Sequence, residues 1–105
     1  MDFLKPTTVT SQTLRSSAKG QPCTLNLDCC NHNPETTVLA HLPIGHKGMG
    51  MKRDDFCACF ACSSCHDAID GRSKAEFTAD DLMRAWYKTI KHWIRMGLIT
   101  IKGAK

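Results

Sequence analysis

Toward the C-terminal end of the chain, apolar residues recur at the three- and four-residue spacing of an amphipathic helix. The pattern predicts a helix over residues 79–96. Residues 78–81 supply an N-cap threonine and acids in the first turn, where the helix dipole favours negative charge. Gly97 is a suitable residue to end the helix. The apolar stripe consists of Leu82, Ala85, Trp86, Ile90, Trp93 and Ile94.

Shorter patterns upstream predict the other elements of a small α+β fold. Residues 36–42 are mostly β-branched or apolar and predict a strand that ends at His41. Residues 56–61 form a continuous apolar run, which fits a buried strand. The remaining predictions are a short helix over 11–19, a short strand over 23–27 and one or two helical turns over 66–71.

The size and composition of the chain indicate one globular domain. With 105 residues, of which 42% are hydrophobic and 23% charged, we expect a single domain over 11–105 after a flexible tail over 1–10. The N-terminal residues lack the apolar core of a secretory signal, and no run approaches the roughly 18 apolar residues of a membrane span. Seven cysteines cannot all pair internally. We therefore expect a cytoplasmic protein whose thiols bind metal.

Cys62 and Cys65 have the spacing of a metal-binding knuckle, in which a tight turn points two thiolates at one zinc ion. A tetrahedral structural site needs two more ligands. We expect Cys23 and Cys30 to supply them, which gives C-x6-C, then 31 residues, then C-x2-C. Cys29 could replace Cys30, because alternation along an extended chain would point the two thiols in different directions.

Two histidines stand next to these features. His41 ends the predicted strand over 36–42, and His66 follows the knuckle directly. The order of Ala40-His41, a loop, a short strand and Cys62-Ser63-Ser64-Cys65-His66 resembles the HNH, or His-Me finger, nucleases. More closely, residues 33–41 (NPETTVLAH) and 61–70 (ACSSCHDAID) resemble the small YbcO-like nucleases of lambdoid phages and prophages.

This resemblance implies a zinc-stapled ββα-metal core with flanking helices and the hydrolysis of DNA phosphodiester bonds in the cytoplasm of a bacterial host. His41 would match the general base that takes a proton from the attacking water. His66 would match the ligand of a catalytic divalent ion (Mg, Mn, Ni or Zn), separate from the structural zinc at the four cysteines. Asp70, four residues after His66, could be a second ligand of that ion.

The sequence departs from the HNH pattern at two places. Many HNH enzymes carry an aspartate or histidine directly before the base, as a metal ligand, where this chain has Ala40. The middle asparagine of the pattern is also not evident. Asp54 or Asp55, just before the predicted strand over 56–61, could occupy its region.

The net charge of +4 is compatible with a nucleic-acid partner. Glycines and basic residues alternate between residues 43 and 54, and such a loop could approach a DNA backbone closely. We expect Lys47, Lys52 and Arg53 in this loop to neutralise phosphates. A further row of cations on the long predicted helix is interpreted as a solvated surface and consists of Lys88, Lys91 and Arg95.

The leading hypothesis is therefore a metal-dependent nuclease with a structural zinc. The alternative is a non-catalytic, zinc-stabilised module that binds nucleic acid or protein, which the alanine at position 40 favours. A third possibility is a zinc-stabilised protein-interaction factor, for which an exposed stripe of Trp86 and Trp93 would be the evidence.

Overall fold

Two antiparallel strands, β1 (Val38–His41) and β2 (Ala58–Ala61), form the sheet on which the helices pack. The computed structural model describes residues 8–43 and 54–104 of the chain. Within these ranges the architecture is a small α+β fold, as predicted. The helices are α1 (Gln12–Ser17), α2 (Ser63–Ile69) and α3 (Ala79–Arg95), and a short 3-10 turn (Pro34–Thr36) precedes β1.

The sheet presents two faces because neighbouring residues of a strand point to opposite sides. In the register of the two strands, Leu39 lies opposite Phe60 and His41 opposite Ala58, so these side chains share one face. Leu39 and Phe60 pack against α1 and the buried Trp93 of α3. His41 therefore lies on the face that α1 covers.

The other face carries Ala40 and Cys59, which are also opposite each other. They belong to the larger core cluster together with the buried residues of α2, namely Cys65, Ala68 and Ile69. Leu82 and Ala85 of α3 join the same cluster. Cys62, Cys65 and α2 thus lie on the face of the sheet opposite to that of His41.

The long helix α3 agrees closely with its prediction because its ends are fixed by local chemistry. Thr78 accepts a hydrogen bond from Asp81 N–H, and the Asp81 carboxylate accepts one from Thr78 N–H, which forms a capping box. Those hydrogen bonds, the largest of them from the Thr78 backbone, hold the pKa of Asp81 below its usual range. The helix ends at Arg95, and Gly97 follows with the positive φ of 76° that favours glycine.

Three other predicted elements differ from the structure in their boundaries or are absent from it. Helix α2 begins earlier than expected because Cys62 itself is the N-cap, with its sulfur accepting from Cys65 N–H at 3.4 Å. The predicted strand over 23–27 is wrong: the segment is irregular, and Asn26 has a left-handed φ of 49° that interrupts an extended chain. The predicted helix over 11–19 is present as the shorter α1, capped by Ser11.

The predicted N-terminal tail and the single-domain boundary stay predictions. Residues 1–7 lie outside the described part of the chain. Val9, which falls within the predicted tail, donates its N–H to Asp54 at 2.7 Å and accepts from Asp55 N–H at 2.9 Å. The chain is thus attached to the rest of the molecule before α1 begins.

The outer edge of β2 is closed by hydroxyl groups. Thr24 donates both its N–H (2.8 Å) and its hydroxyl (2.9 Å) to the carbonyl of Phe60. The hydroxyl of Thr89, fully buried on α3, accepts from Phe60 N–H at 3.2 Å and donates to Ala85 C=O at 2.9 Å. These contacts satisfy the backbone groups of a short edge strand, which would otherwise be left unpaired in the core.

We predict that Thr89→Val lowers the free energy of unfolding by about 1–3 kcal/mol, since valine has the same shape but leaves the buried Phe60 N–H without an acceptor. Urea denaturation followed by circular dichroism measures the change. Thr100→Val, at an exposed position, is the matched control and should change the stability by less than about 0.5 kcal/mol. Equal effects of the two substitutions would contradict the role given to the Thr89 hydroxyl.

Candidate active site and metal centre

Four cysteine side chains meet where residues 23–30 pass the start of α2. The sulfur atoms of Cys23, Cys30, Cys62 and Cys65 all lie within 4.8 Å of one another, and those of Cys30 and Cys62 are 3.7 Å apart. Among the described residues, this is the one group of three or more histidine, cysteine and acidic side chains whose ligand atoms lie close enough together to hold a metal ion. The predicted pairing of Cys23 and Cys30 with the knuckle is thus matched by proximity.

The geometry of the cluster fits a tetrahedral zinc ion. Zn–S bonds of about 2.3 Å place the sulfurs of a tetrahedral site about 3.8 Å apart, close to the 3.7 Å between Cys30 and Cys62. Cys29, the alternative ligand, lies outside the cluster, and its sulfur contacts Ser64 C=O at 3.7 Å. Four sulfur donors in a largely buried setting form the ligand set of a structural zinc site.

Burial and hydrogen bonds within the cluster set the pKa values of these thiols. Burial alone would raise the pKa of Cys62, but hydrogen bonds from the backbone of Asn31 and Cys65 and from the side chains of Cys65 and Cys30 lower it to about 7. Burial raises the pKa of Cys30 to about 11 and that of Cys65 still further. A metal ion bound by thiolates would therefore displace protons from Cys30 and Cys65.

On the other face of the sheet, His41 contacts a buried carboxylate. The Nε2 atom of His41, at the end of β1, lies 2.9 Å from Oδ1 of Asp55, whose side chain is 0% exposed. The His41 side chain is 31% exposed, so the ring reaches solvent while its inner edge is held by Asp55. In the described part of the chain, no hydrogen bond occupies the other ring nitrogen, Nδ1.

The second oxygen of Asp55 accepts two further hydrogen bonds. Ser11 N–H donates to Oδ2 at 2.7 Å, and Arg15 Nε–H donates to the same oxygen at 2.8 Å. Burial alone would raise the pKa of Asp55, but the hydrogen bonds from Ser11, His41 and Arg15, with the charge of Arg15, hold it below its usual range. Asp55 is therefore ionised at neutral pH, and the stability it contributes is lost only as pH falls through this lowered pKa.

A depression of about 620 Å³ opens beside His41. Its walls come from α1 and β1 and consist of Arg15, Ser16, Lys19, Thr37, Val38, Leu39 and His41. Two of these residues are cations and none is an acid. A nucleophile or an anion bound in the depression would therefore meet the exposed side of the His41 ring.

His66 and Asp70 lie one turn apart on and just after α2. His66 Nε2 is 3.0 Å from Asp70 Oδ2, and the same oxygen is 3.1 Å from Arg72 Nη2. Arg72 also pairs with Asp67 at 3.0 Å. Since these side chains are partly exposed, a divalent ion could reach His66 and Asp70, but it would compete with Arg72 for the carboxylate.

The structure thus brings some of the predicted site residues together and leaves others apart. Of the two aspartates expected in the region of the missing asparagine, Asp55 contacts His41 and Asp54 binds Val9 N–H. His66 does not line the depression at His41, and no described contact joins the two histidines. The predicted DNA contacts Lys47, Lys52 and Arg53 lie outside the described residues.

Sequence reasoning missed Arg15. It precedes the four cysteines and both histidines in the chain and belongs to no motif. Its contact with Asp55 spans 40 positions along the sequence, so no local pattern marks it. The one signal available was that Arg15 is the only charged residue of α1.

Three comparisons with known proteins agree. The family model described as "Putative nuclease YbcO" matches residues 12–98. "Putative nuclease YbcO" of Escherichia coli (strain K12) is 38% identical over 91 residues, covering 82% of this chain and 95% of that protein. "Putative nuclease ybcO" of Enterobacteria phage 82 matches with the same identity and coverage. The solved "Structure of a putative bacteriophage protein from Escherichia coli str. K-12 substr. MG1655" has a TM-score of 0.65 and 34% identity, and the match covers 81% of this chain and 100% of that chain.

The matched range includes all the helices and strands described above, the four clustered cysteines and both candidate histidines. The curated relatives come from a bacterium and from a phage, and each is covered almost to its full length. The chain therefore belongs to the YbcO family of phage and prophage nucleases.

Proposed function

We propose that this protein is a metal-dependent endonuclease of the HNH, or His-Me finger, type, which hydrolyses phosphodiester bonds of DNA in the bacterial host cytoplasm. The observation that carries the proposal is the pairing of the half-exposed His41 with the buried, ionised Asp55. A buried carboxylate that orients a solvent-facing imidazole is the arrangement that general-base catalysis needs. The chain order β1, β2, α2, with His41 ending β1 and His66 in α2, matches that of a ββα-metal unit, but α2 packs on the face of the sheet opposite to His41.

Asp55 determines which nitrogen of His41 acts as the base. An ionised carboxylate can only accept hydrogen bonds, so Nε2 of His41 must carry the proton that it shares with Asp55. Nδ1 is then the unprotonated nitrogen on the exposed side of the ring. It takes a proton from water as the water oxygen attacks phosphorus, and the Asp55 carboxylate stabilises the imidazolium that forms.

His66 and Asp70 are the residues that would hold the catalytic divalent ion. An imidazole and a carboxylate supply two ligands, and substrate phosphate oxygens with water would complete the coordination, as is common for Mg²⁺. When bound, such an ion stabilises the charge that develops on the phosphate and the leaving oxygen. In this protein, Arg72 holds Asp70 in place beside His66 through its 3.1 Å ion pair.

The four-cysteine cluster is proposed to hold a structural zinc. The zinc would tie residues 23–30 to the knuckle at the start of α2, on the face of the sheet away from His41. It would thus stabilise the core without taking part in the reaction. The loop residues Lys47, Lys52 and Arg53 remain proposed contacts to DNA phosphates.

One observation favours the non-catalytic alternative, a zinc-stabilised binding module. Ala40, where many HNH enzymes have a metal ligand, is 0% exposed and packs in the core beside Cys59. The third possibility, a protein-interaction factor with an exposed tryptophan stripe, lacks its evidence. Trp93 is fully buried, and Trp86 is partly buried with its Nε1–H bound to Phe56 C=O at 2.8 Å.

Helices long and apolar enough to cross a bilayer are absent from residues 8–43 and 54–104.

We predict that His41→Ala lowers DNA cleavage by at least about 100-fold, because a general base commonly contributes 10²–10⁴ to the rate. Zinc content and the far-ultraviolet circular dichroism spectrum should match those of the wild type, since the His41 side chain is not part of the hydrophobic core. Cleavage is measured on single-stranded, duplex and branched DNA with Mg²⁺, Mn²⁺, Ni²⁺ and Zn²⁺. If the wild type cuts none of these substrates with any of these ions, the proposed nuclease activity is refuted.

We predict that Asp55→Asn lowers kcat by about 10²–10⁴ while DNA binding is retained. The amide oxygen of the new asparagine will face the two donors Ser11 N–H and Arg15 Nε–H, which places its NH₂ group against His41 Nε2. Nε2 must then accept, so the proton moves to Nδ1 and the base is lost.

Nitrogen-15 NMR of the histidine rings reports the tautomer of His41 directly. Asp54→Asn is the matched control, because Asp54 binds Val9 N–H and does not contact His41 in the described structure. It should leave both kcat and the tautomer unchanged. An Asp55→Asn protein with an unchanged His41 tautomer and normal kcat would argue against the positioning role of Asp55.

We predict that Cys62→Ser loses the bound zinc and is less stable than the wild type. Serine preserves the N-cap of α2 but not the thiolate ligand, so the effect isolates metal binding from helix capping. Cys29→Ser is the matched control and should keep about one zinc per chain, because Cys29 lies outside the cluster. Zinc content is measured by inductively coupled plasma mass spectrometry; a full complement in Cys62→Ser would exclude the proposed ligand set.

A further inference from the structure

We propose that Arg15 and Lys19, at the end of α1, form a phosphate-binding site that holds the DNA backbone beside His41. This inference rests on the proposed nuclease function and identifies which cations meet the substrate at the candidate active site. It places the contact on α1, upstream of every motif in the sequence, in addition to the loop that carries Lys47, Lys52 and Arg53.

The position of α1 is the first argument. Helix α1 packs on the same face of the sheet as His41, and the depression of about 620 Å³ lies between this helix and β1. Arg15, Lys19 and His41 all line it. A phosphodiester in the depression would therefore contact the base and both cations at once.

The state of Arg15 is the second argument. Its Nε–H is bound to Asp55 at 2.8 Å, yet its side chain is 49% exposed, and in the described structure neither Nη group has a partner. Asp55 thus holds the guanidinium through its Nε–H, and the N–H groups of both Nη atoms remain available to another acceptor. A planar guanidinium with free donors suits the geometry of phosphate oxygens.

The state of Lys19 is the third argument. It is exposed just after the end of α1, and no carboxylate pairs with its side chain among the described residues. Arg72 and Arg84, in contrast, pair with carboxylates: Arg72 with Asp67 and Asp70, and Arg84 with Asp80 and Asp81. Asp55 compensates the charge of Arg15 from behind, so the positive charge that the depression offers to an anionic backbone comes from Lys19, while Arg15 contributes its unpaired Nη donors.

The shared carboxylate of Asp55 connects binding with catalysis. Its Oδ2 holds Arg15 and its Oδ1 holds His41, so the two side chains are fixed relative to each other through one rigid, buried group. A phosphate bound by Arg15 is therefore positioned relative to Nδ1 of His41 without a loop having to close. Lys19, which does not contact Asp55, contributes charge alone and is the cleaner residue to test.

The experiment measures binding of a short fluorescein-labelled DNA duplex by fluorescence anisotropy, over about 50–200 mM salt. All proteins carry His41→Ala, so that cleavage does not interfere. Lys19→Ala should weaken binding and reduce the slope of log K against log salt by about 1, which corresponds to one lost phosphate contact. Lys19→Arg should restore both. Lys88→Ala removes an exposed lysine of α3 and should leave both unchanged.

A second measurement uses the cleaving protein. With His41 intact, Lys19→Ala should raise KM with a smaller change in kcat, because the contact holds the backbone before and during the reaction. The phosphate site would be overturned if Lys19→Ala and its parent protein had the same slope of log K against log salt. It would also be overturned if Lys19→Ala and Lys88→Ala lost the same amount of DNA affinity. If the wild type never cleaves DNA but its DNA binding depends on Lys19, the result would support the phosphate-binding site and reject the proposed nuclease activity. No DNA binding by any of the proteins would reject both proposals.

Discussion

The buried carboxylate of Asp55 is the constraint on which the candidate active site depends. A charge removed from water is stable only when hydrogen bonds and a counter-ion replace its hydration. Asp55 obtains these from the cap of α1 at Ser11, from Arg15 within the same helix and from His41 at the end of β1. Satisfying one side chain therefore fixes α1 against the sheet, orients the histidine and places a cation beside it.

The four-cysteine cluster plays the corresponding part on the opposite face of the sheet. It joins residues 23–30 to the start of α2, two segments that the contact of Cys29 Sγ with Ser64 C=O also links. A chain of 105 residues buries a modest core, and a metal is a common way to stabilise such a domain. The two-stranded sheet thus separates the four-cysteine cluster, on one face, from His41 and Asp55 on the other.

Local chemistry explains which features could be predicted from the sequence. The spacing of Cys62 and Cys65 and the capping box at Thr78 involve residues three apart, and the structure has both features close to where they were expected. The contact of Arg15 with Asp55 spans 40 positions and leaves no local pattern. The false strand over 23–27 had a suitable alternation, but the left-handed Asn26 and the hydrogen bonds of Thr24 to Phe60 determine its course. Tertiary contacts overrode propensity there.

The same alternation bears on the departure at position 40. Residues 40 and 41 of β1 point to opposite faces, so Ala40 lies in the core with Cys59 while His41 faces α1. A larger, polar side chain at position 40 would have to be accommodated beside the cysteine cluster, in a region that is 0% exposed. His41 is oriented from the other side, by Asp55, and its orientation does not depend on the residue at position 40. The alanine therefore removes one candidate metal ligand but leaves the proposed base and its supporting hydrogen bonds intact, and the proposed catalytic ion would depend on His66 and Asp70 for its protein ligands.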